Sequence, residues 1–410
     1  MTSRERITAA WEGKSHDHVP LTTWCFGFEP PQELKWSKDG QPVNYWYTTR
    51  VERTSVLSEP WDVEDDFKRI LAWKSLGIDD VLEVSVPWGM GREVTWKDFT
   101  AESQERGGVP SMTREYSTPS GILRHTVKKT AEEPEDGWVR QPNHVPLFDD
   151  FNIPRGIEHA VSTSEDIPRI RHLYKAPDEK ARQEFSSRMK TVSIFGREHE
   201  VPVQAWVAFG MDGVIWLTGV EGAVLMAMDS PVTFGKLVDA IAEGDYGRAE
   251  LACSDPDIDM ICQRGWYSSL DFWSPRLFDE FVCPHLKEIT GLAHRHGKKF
   301  GYVMTTGVEA LGARLMESGV DVLYFIDPVQ DRISVDKARE LFGGGMTLVG
   351  GTNSVTLASK ETGKIRDEVR RAMDVLGPTG RFILHPVDAI FPDTPWEGVK
   401  VMIDTWKEYI

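Results

Sequence analysis

The second half of the chain repeats one pattern. A short apolar run is followed by a polar or glycine-rich loop, and then by a stretch whose apolar residues recur every three or four positions. Such runs predict buried strands, and the longer spacing predicts amphipathic helices. Two earlier apolar runs, 19–26 and 78–84, extend the series. With them the pattern predicts eight strands, the other six being 203–209, 258–262, 300–304, 322–326, 347–350 and 381–384.

The predicted helices have clear boundaries. Thr394 and Pro395 supply an N-cap and a first-turn proline, Glu397 completes a capping box, and Gly377-Pro378 ends the preceding helix. Strands that alternate with helices pair in parallel, so eight such units predict a (β/α)8 barrel of the TIM type with its chemistry at the strand carboxyl ends. A doubly wound open sheet is the alternative, but no glycine-rich dinucleotide fingerprint follows the first strand.

The pattern changes between residues 85 and 200. Strand-like runs at 93–96, 113–116 and 122–127, with a turn at Pro119-Ser120-Gly121, predict an antiparallel excursion followed by polar chain. We expect this excursion, which comes after the second strand, to be an insertion or lid. The whole chain, 1–410, is then a single barrel domain.

Composition narrows the choice of partners. The 47 Lys and Arg residues against 64 Asp and Glu residues give a formal charge of −17, which disfavours nucleic acid and anionic membrane surfaces. The first residues lack the apolar core of a signal peptide, and the chain contains no apolar stretch of about 18 residues. We therefore expect a cytoplasmic protein whose four cysteines are reduced.

Seven short motifs lie, in chain order, at 3–7, 18–20, 218–221, 274–278, 319–323, 382–386 and 392–395. Their residues and their order resemble the uroporphyrinogen decarboxylase-like superfamily, which includes the corrinoid-linked methyltransferases. The resemblance implies a barrel with a deep pocket at the strand carboxyl ends. It also implies one of two reactions: decarboxylation of a tetrapyrrole without a cofactor, or methyl transfer involving a corrinoid protein, usually with zinc as Lewis acid.

Neither family signature is complete. The arginine-rich first loop of the decarboxylases is matched by the apolar stretch 22–30, and their histidine in the last barrel loop is matched by Asp388. The His-x-Cys pair of the thiol methyltransferases is matched by Tyr302 and Met304. The resemblance therefore favours neither a polycarboxylate substrate nor a thiol held on a thiolate-bound zinc ion.

Polar and aromatic residues follow the predicted strands and define a candidate pocket, to which Glu83 and Asp212 also belong. By resemblance and position, we expect catalytic roles for Tyr302, Asp327, His385 and Asp388. The candidates for a metal site are Glu221, Asp327, His385 and Asp388. The candidates for substrate binding are Trp24, Trp88, Trp216, Arg264, Trp266, Tyr267 and Asn353.

Structural roles compete with these assignments. Asp327 and His385 could cap neighbouring helices, Glu221 could cap its own helix, and Tyr302 could be a packing residue. The cluster 294–297 ends an amphipathic helix, where cations suit the helix dipole, so a metal tract is disfavoured there. The histidines at 16 and 18 precede the first strand and are expected at the opposite end of the barrel.

We predict a methyltransferase or demethylase that moves a methyl group from a small substrate to a corrinoid carried by a partner protein, with methoxylated aromatics among the candidate substrates. Zinc is the expected Lewis acid. The alternative is a metal-independent lyase or decarboxylase acting on a non-standard substrate, and a third reading is a barrel that binds a planar ligand without turnover. The 15 tryptophans suit stacking on a planar substrate or a protein interface, including a homo-oligomeric one.

Overall fold

A curled, seven-stranded parallel sheet forms the centre of this computed structural model. The structure describes residues 1–25, 28, 31, 34, 37–38, 41–42, 63–102, 108–129, 145, 147–150, 152–331, 333–391 and 393–410. In chain order the strands are β1 (Ser37–Lys38), β2 (Gln41–Pro42), β3 (Leu82–Ser85), β4 (Thr95–Ala101), β5 (Ser111–Thr118), β6 (Gly121–Lys128), β7 (Gly156–Glu158), β8 (Val203–Ala208), β9 (Met260–Gln263), β10 (Lys299–Val303), β11 (Val322–Ile326), β12 (Thr347–Asn353) and β13 (Phe382–Val387).

Helices separate the strands of this sheet. They are α1 (Ser3–Glu12), α2 (Val63–Ser75), α3 (Asn152–Arg155), α4 (Ile167–Leu173), α5 (Glu179–Glu198), α6 (Gly210–Asp229), α7 (Pro231–Cys253), α8 (Pro275–Phe281), α9 (Cys283–Arg295), α10 (Val308–Glu317), α11 (Val335–Phe342), α12 (Ser354–Ala358), α13 (Thr362–Leu376) and α14 (Trp396–Trp406). The sheet order is β3-β8-β9-β10-β11-β12-β13, every neighbouring pair being parallel. Seven of the eight predicted strands and their parallel pairing are therefore confirmed.

The first predicted strand, 19–26, lies beside β13, and two isolated parallel β-bridges join this segment to β13 and the residues that follow it. Leu21 pairs with Leu384 and Cys25 pairs with Ile390, and the Leu384 amide donates to the Pro20 carbonyl at 2.9 Å. Position 26 lies outside the described residues. Within the described ranges, β3 and β13 are the outer strands of the hydrogen-bonded sheet. The structure thus has a curled seven-stranded sheet where the sequence predicts a closed barrel of eight strands.

The excursion forms a second, antiparallel sheet of four strands in the order β4-β5-β6-β7. Its register joins Trp96 to Tyr116 and Thr113 to Thr126. This sheet confirms the antiparallel strands expected after the second strand of the central sheet. The polar stretch that follows is more regular than the sequence indicated, because α4 and α5 lie within it. In α5, exposed side chains outnumber buried ones, so the spacing of the apolar residues on its buried face is hard to recognise in the sequence.

Helix α1 closes the amino end of the curled sheet. Thr2 and Glu5 form the predicted capping box, and Gly13 ends the helix with φ of 66°. The buried side chains of Ile7 and Trp11 pack with the side chains inside the sheet, among them Cys262. Because the apolar face of α1 fills this end of the sheet, we expect the polar groups of a functional site at the opposite end.

The expectation that the chain holds no apolar stretch of about 18 residues is wrong for α6, which is long and apolar enough, by length and composition, to cross a membrane. However, 61% of its apolar window is buried inside the fold. Packing against neighbouring elements therefore accounts for its apolar character, since core helices of globular proteins pass the same test.

The closing role of α1 predicts the effect of truncating Trp11. This side chain is 1% exposed, so Trp11→Ala should leave a cavity and lower the free energy of unfolding by about 3–5 kcal/mol. Urea denaturation followed by circular dichroism would measure the change. Trp96→Ala is the matched control, because Trp96 is 53% exposed on β4, and its loss should change stability far less. Equal effects of the two substitutions would contradict this role of α1.

Candidate active site

Five aromatic side chains meet at the carboxyl end of the central sheet, and we call this cluster the aromatic mouth. Its members are Trp24, Trp206, Trp266, Tyr324 and Phe325. The Trp24 ring is central to it, with ring centroids 5.3 Å from Tyr324 and 6.0 Å from Trp266. The structure therefore brings the predicted residues Trp24 and Trp266 together. It adds three rings that sequence reasoning missed, since they come from within apolar strand runs.

Asp388 lies at the edge of the aromatic mouth, directly after β13. The Trp266 indole N–H donates to its Oδ2 at 3.1 Å. The side chain is half-buried, and loss of surrounding water raises the pKa of Asp388, with the negative charges of Asp150 and Asp327 acting in the same direction. A carboxyl group with a raised pKa holds its proton to higher pH than an exposed aspartate does, so Asp388 is a candidate proton donor.

His385 is fully buried in β13, and both of its ring nitrogens have partners within the fold. Nε2 lies 3.3 Å from the backbone carbonyl of Asp388, and Nδ1 lies 2.9 Å from the Thr22 hydroxyl. A carbonyl oxygen only accepts, so Nε2 carries the proton and Nδ1 accepts from Thr22 in the neutral ring. This arrangement fixes the ring next to Asp388 and suits a positioning role.

Asp327 and Asn353 join the ends of β11 and β12. The Asn353 amide donates to both Asp327 carboxylate oxygens, at 3.0 and 2.9 Å. The backbone N–H groups of Val329 and Gln330 also donate to Asp327, at 2.8 and 3.0 Å. Asp327 is completely buried, so these bonds satisfy a carboxylate that is held away from water. Asp327 thus has a structural role within a turn, whereas the next helix, α11, is capped by Ser334 and not by Asp327 as the sequence suggested.

Arg264 is held between two tryptophan rings. Its guanidinium carbon lies 4.9 Å from the Trp216 ring centroid and 4.4 Å from that of Trp266. Its Nε donates to Asp212 at 3.2 Å, and its Nη2 donates to Asp150 at 2.5 Å. Three predicted binding residues thus form one stack, and two carboxylates fix the direction of the guanidinium.

The two carboxylates on Arg264 have different surroundings. Asp212 is fully buried and accepts from the Tyr267 backbone N–H at 2.9 Å. Burial raises the pKa of Asp212 to about 7, although the charge of Arg264 acts in the opposite direction. The Asp150 side chain is 39% exposed and comes from the excursion. Asp150 could not be recognised from the sequence, because it lies in a coil segment without a periodic pattern of apolar residues.

Tyr302 lies behind the loop that carries Trp266. Its hydroxyl forms a 2.6 Å hydrogen bond with the hydroxyl of Ser268, and burial raises the pKa of the phenol. Gly265 allows this close packing, since a Cβ there would lie 2.5 Å from Cζ of Tyr302. Tyr302 therefore supports the loop from inside the sheet.

Trp88 belongs to a second aromatic cluster, which it forms with Phe148, Tyr174 and Phe209. Arg248 packs on this cluster, 4.4 Å from the Phe209 ring centroid. Trp216, which contacts Phe148 and Phe209, connects the second cluster to Arg264. Trp88 thus lies near the stack of Trp216, Arg264 and Trp266, on the side away from the aromatic mouth.

The remaining candidates lie elsewhere. Glu221 is exposed on α6, and Glu83 is buried within β3 in register with Gln204. At the end of α9, His294 forms a 2.7 Å hydrogen bond with Asp321, as expected of a structural cluster. His18 lies by α1, near Asp79, at the end of the sheet opposite the aromatic mouth.

The described part of the chain offers no ligand set for zinc. Within the described ranges, no three His, Cys, Asp or Glu side chains are placed so that they could hold one metal ion. The Asp327 carboxylate already accepts hydrogen bonds from Asn353 and from backbone N–H groups, and the Glu221 side chain is exposed on α6. The described donors therefore do not fit the expected zinc site, and zinc stays a prediction.

Comparison with known proteins adds the family. The model for uroporphyrinogen decarboxylase matches residues 150–409, more than half of the chain, so the chain belongs to the uroporphyrinogen decarboxylase family. This finding confirms the resemblance noted in the sequence. Among curated proteins, no sequence matches the chain.

Solved structures support the fold. A methyltransferase from Methanosarcina mazei aligns over 100% of this chain and 99% of its own length, with 17% identity and a TM-score of 0.56. A D-tagatose 3-epimerase-like protein covers 54% of this chain and 82% of its own length, with 16% identity. Its TM-score of 0.32 is too low to carry an argument. At such identities the likeness concerns the fold alone.

The raised pKa of Asp212 predicts a pH dependence of stability. Between about pH 4 and about pH 7, the folded protein holds a proton that the unfolded chain has released, so Asp212 stabilises the fold at low pH. This contribution is lost as pH rises through about 7. The wild-type free energy of unfolding, relative to that of Asp212→Asn, should therefore fall as pH rises. Urea denaturation across this pH range measures the difference.

Asp279→Asn is the control for this measurement. Asp279 is an exposed aspartate, and its hydrogen bond to Arg314 lowers the pKa of its carboxyl. Its titration therefore falls below the pH range in question, and the slope should equal that of the wild type. A difference between wild type and Asp212→Asn that stays constant with pH would contradict the assignment to Asp212.

Proposed function

We propose that this chain is a methyltransferase that moves a methyl group from a small substrate to a corrinoid carried by a partner protein. A methoxylated aromatic is the substrate class that we consider first. The observation that carries the proposal is the placement of Asp388, a carboxyl group whose pKa is raised by burial, on the edge of Trp266 in the aromatic mouth. Membership in the uroporphyrinogen decarboxylase family and the fold shared with a methyltransferase support it.

The aromatic mouth suits a planar substrate. Trp24 and Trp266 are half-buried, and their rings lie 6.0 Å apart with an angle of 40° between their planes. A planar methyl donor can pack against their exposed faces and exclude water from the reacting bond. The fully buried ring of Phe325 packs edge-to-face against Trp24, at a centroid distance of 4.9 Å.

Asp388 supplies the proton in this proposal. When the bond between the methyl carbon and the ether oxygen breaks, the electron pair stays on oxygen, and Asp388 protonates that oxygen. The carboxylate that results keeps the Trp266 N–H as a hydrogen-bond donor. His385 holds the backbone carbonyl of Asp388 and so positions the carboxyl. The corrinoid would supply the nucleophile that accepts the methyl group.

No step of this mechanism depends on zinc, because the described residues do not gather as its ligands. Proton donation from Asp388 would meet the need that a Lewis acid meets elsewhere, which is to neutralise the leaving oxygen. Metal content of the purified protein, measured without chelators, decides whether zinc takes part.

Decarboxylation is the second candidate, and the family match favours it. In that reaction Asp388 would protonate the carbon from which carbon dioxide departs. The two candidates differ in their products. Carbon dioxide release that needs no corrinoid would favour the lyase, and a demethylated product would favour methyl transfer.

We further propose that the curled sheet closes as an eight-stranded barrel, with the segment around Leu21 as its eighth strand. The two parallel bridges of this segment to the last strand support the proposal. A cytoplasmic location, a corrinoid protein as partner and assembly as a homo-oligomer remain proposals as well.

The role of Asp388 predicts that Asp388→Asn loses activity while keeping the fold. An amide keeps the hydrogen bond to Trp266 but cannot give up a proton at neutral pH, so the rate of demethylation should fall by about 10²- to 10⁴-fold. Product formation from methoxylated aromatics with added corrinoid would measure this rate.

Asp279→Asn removes an exposed carboxylate with its ion pair to Arg314, and serves as the control. Its rate should equal that of the wild type. If Asp388→Asn retained the wild-type rate, the assignment of the proton donor would be wrong.

A further inference from the structure

A carboxylate already occupies a built binding site beside the aromatic mouth. Trp216 Nε1 donates to Oδ1 of Asp150 at 3.0 Å, and Arg264 Nη2 donates to Oδ2 at 2.5 Å. The Tyr267 phenol interacts with Asp150 electrostatically, and burial, together with the charges of Asp150 and Asp212, raises the pKa of that phenol. Tyr267 thus stays protonated at neutral pH. We call these three side chains, Trp216, Arg264 and Tyr267, the carboxylate cradle.

The Trp216 and Arg264 side chains of the cradle are buried, whereas the carboxylate that they bind is partly exposed. Trp216 is fully buried, and Arg264 is 6% exposed and held from its other side by Asp212. The Asp150 side chain is 39% exposed. The backbone beside it is anchored by Phe148, which is buried against Trp216. Asp150 can therefore turn its side chain towards water while the segment and the cradle stay in place.

We propose that Asp150 is a displaceable counter-ion, and that a carboxylate of the substrate replaces it in the cradle. The exchange conserves charge, because one carboxylate leaves Arg264 as another arrives. It also conserves hydrogen bonds, since the Trp216 and Arg264 donors pass to the two oxygens of the new carboxylate. This inference rests on the proposed function, and it narrows the substrate to an aromatic acid.

Trp266 connects the cradle to the proposed proton donor. Arg264 stacks on its ring at 4.4 Å, and Asp388 binds its indole N–H at 3.1 Å. An aromatic acid that lies along Trp266 can therefore place its carboxylate in the cradle and its ether group near Asp388. Asp150 then acts as a specificity residue, because a neutral aromatic gains nothing that could compensate for displacing it.

Binding of two matched probes tests the exchange. The probes are 4-methoxybenzoate and its neutral analogue 4-methoxybenzamide, titrated by calorimetry into the full-length protein. Asp150→Asn weakens the competing counter-ion, so it should tighten benzoate binding about tenfold and leave benzamide binding unchanged. Arg264→Lys, which keeps the charge but loses the fork of donors, should weaken benzoate binding about tenfold.

Asp271→Asn controls for a general charge effect. Asp271 is an exposed carboxylate in the loop after the cradle residue Tyr267, and its partners are Ser269 and Thr306. Its removal changes the net charge as Asp150→Asn does but leaves the cradle intact. Equal tightening by both variants would mean a diffuse charge effect and would overturn the exchange. Unchanged or weaker benzoate binding in Asp150→Asn would overturn it as well.

The Trp216 indole N–H gives a readout that does not depend on turnover. Its NMR resonance, assigned with Trp216→Phe, should shift on addition of benzoate but not of benzamide, as its acceptor changes from Asp150 to the ligand. Absence of a benzoate-specific shift would overturn the proposal. If the exchange occurs but no methyl group is transferred, the proposed function fails while this inference stands. If methyl transfer proceeds equally from acid and amide, the inference fails alone.

Discussion

All strands of a parallel sheet end at the same edge, and this constraint organises the molecule. The amino end of the curled sheet is filled by the apolar face of α1, through Ile7 and Trp11. Loops at the carboxyl end are thus free to carry polar groups without disturbing the packed interior. Trp266, Asp327 and Asp388 follow three different strands, yet all three lie at this end because the strands run in one direction.

Burial of charge is the second organising feature of this end. Arg264 is almost completely buried, which is tolerable because two tryptophan faces and two carboxylates surround it. Asp212 supplies a carboxylate whose pKa of about 7 reflects the cost of ionising it without water. The local environment therefore decides whether each carboxyl group serves as an ion or as an acid. Burial raises the pKa of both Asp388 and Asp327, but only Asp327 receives several N–H donors, which act in the opposite direction.

Much of the fold could be predicted from the sequence, because apolar runs and helical spacing report burial directly. The loop residues Arg264 and Trp266 could also be placed at one end, since both follow the same strand. Asp150 could not, because its position depends on how the excursion returns to the sheet. Tyr324 and Phe325 were missed for another reason: an apolar strand has the same pattern whichever neighbours its side chains meet. The helix α5 was missed since only a narrow face of it is buried.

The connection of Phe148 and Asp150 to the cradle has a consequence for how such enzymes diverge. The cradle residues lie on helix α6 and in the loop that follows β9, whereas the carboxylate that they bind comes from a segment of the excursion outside the central sheet. Replacement of one coil residue could therefore change which ligands are accepted, while every strand keeps its neighbours. A lineage could explore new substrates through this segment at little risk to its stability, because the packed core would be inherited unchanged.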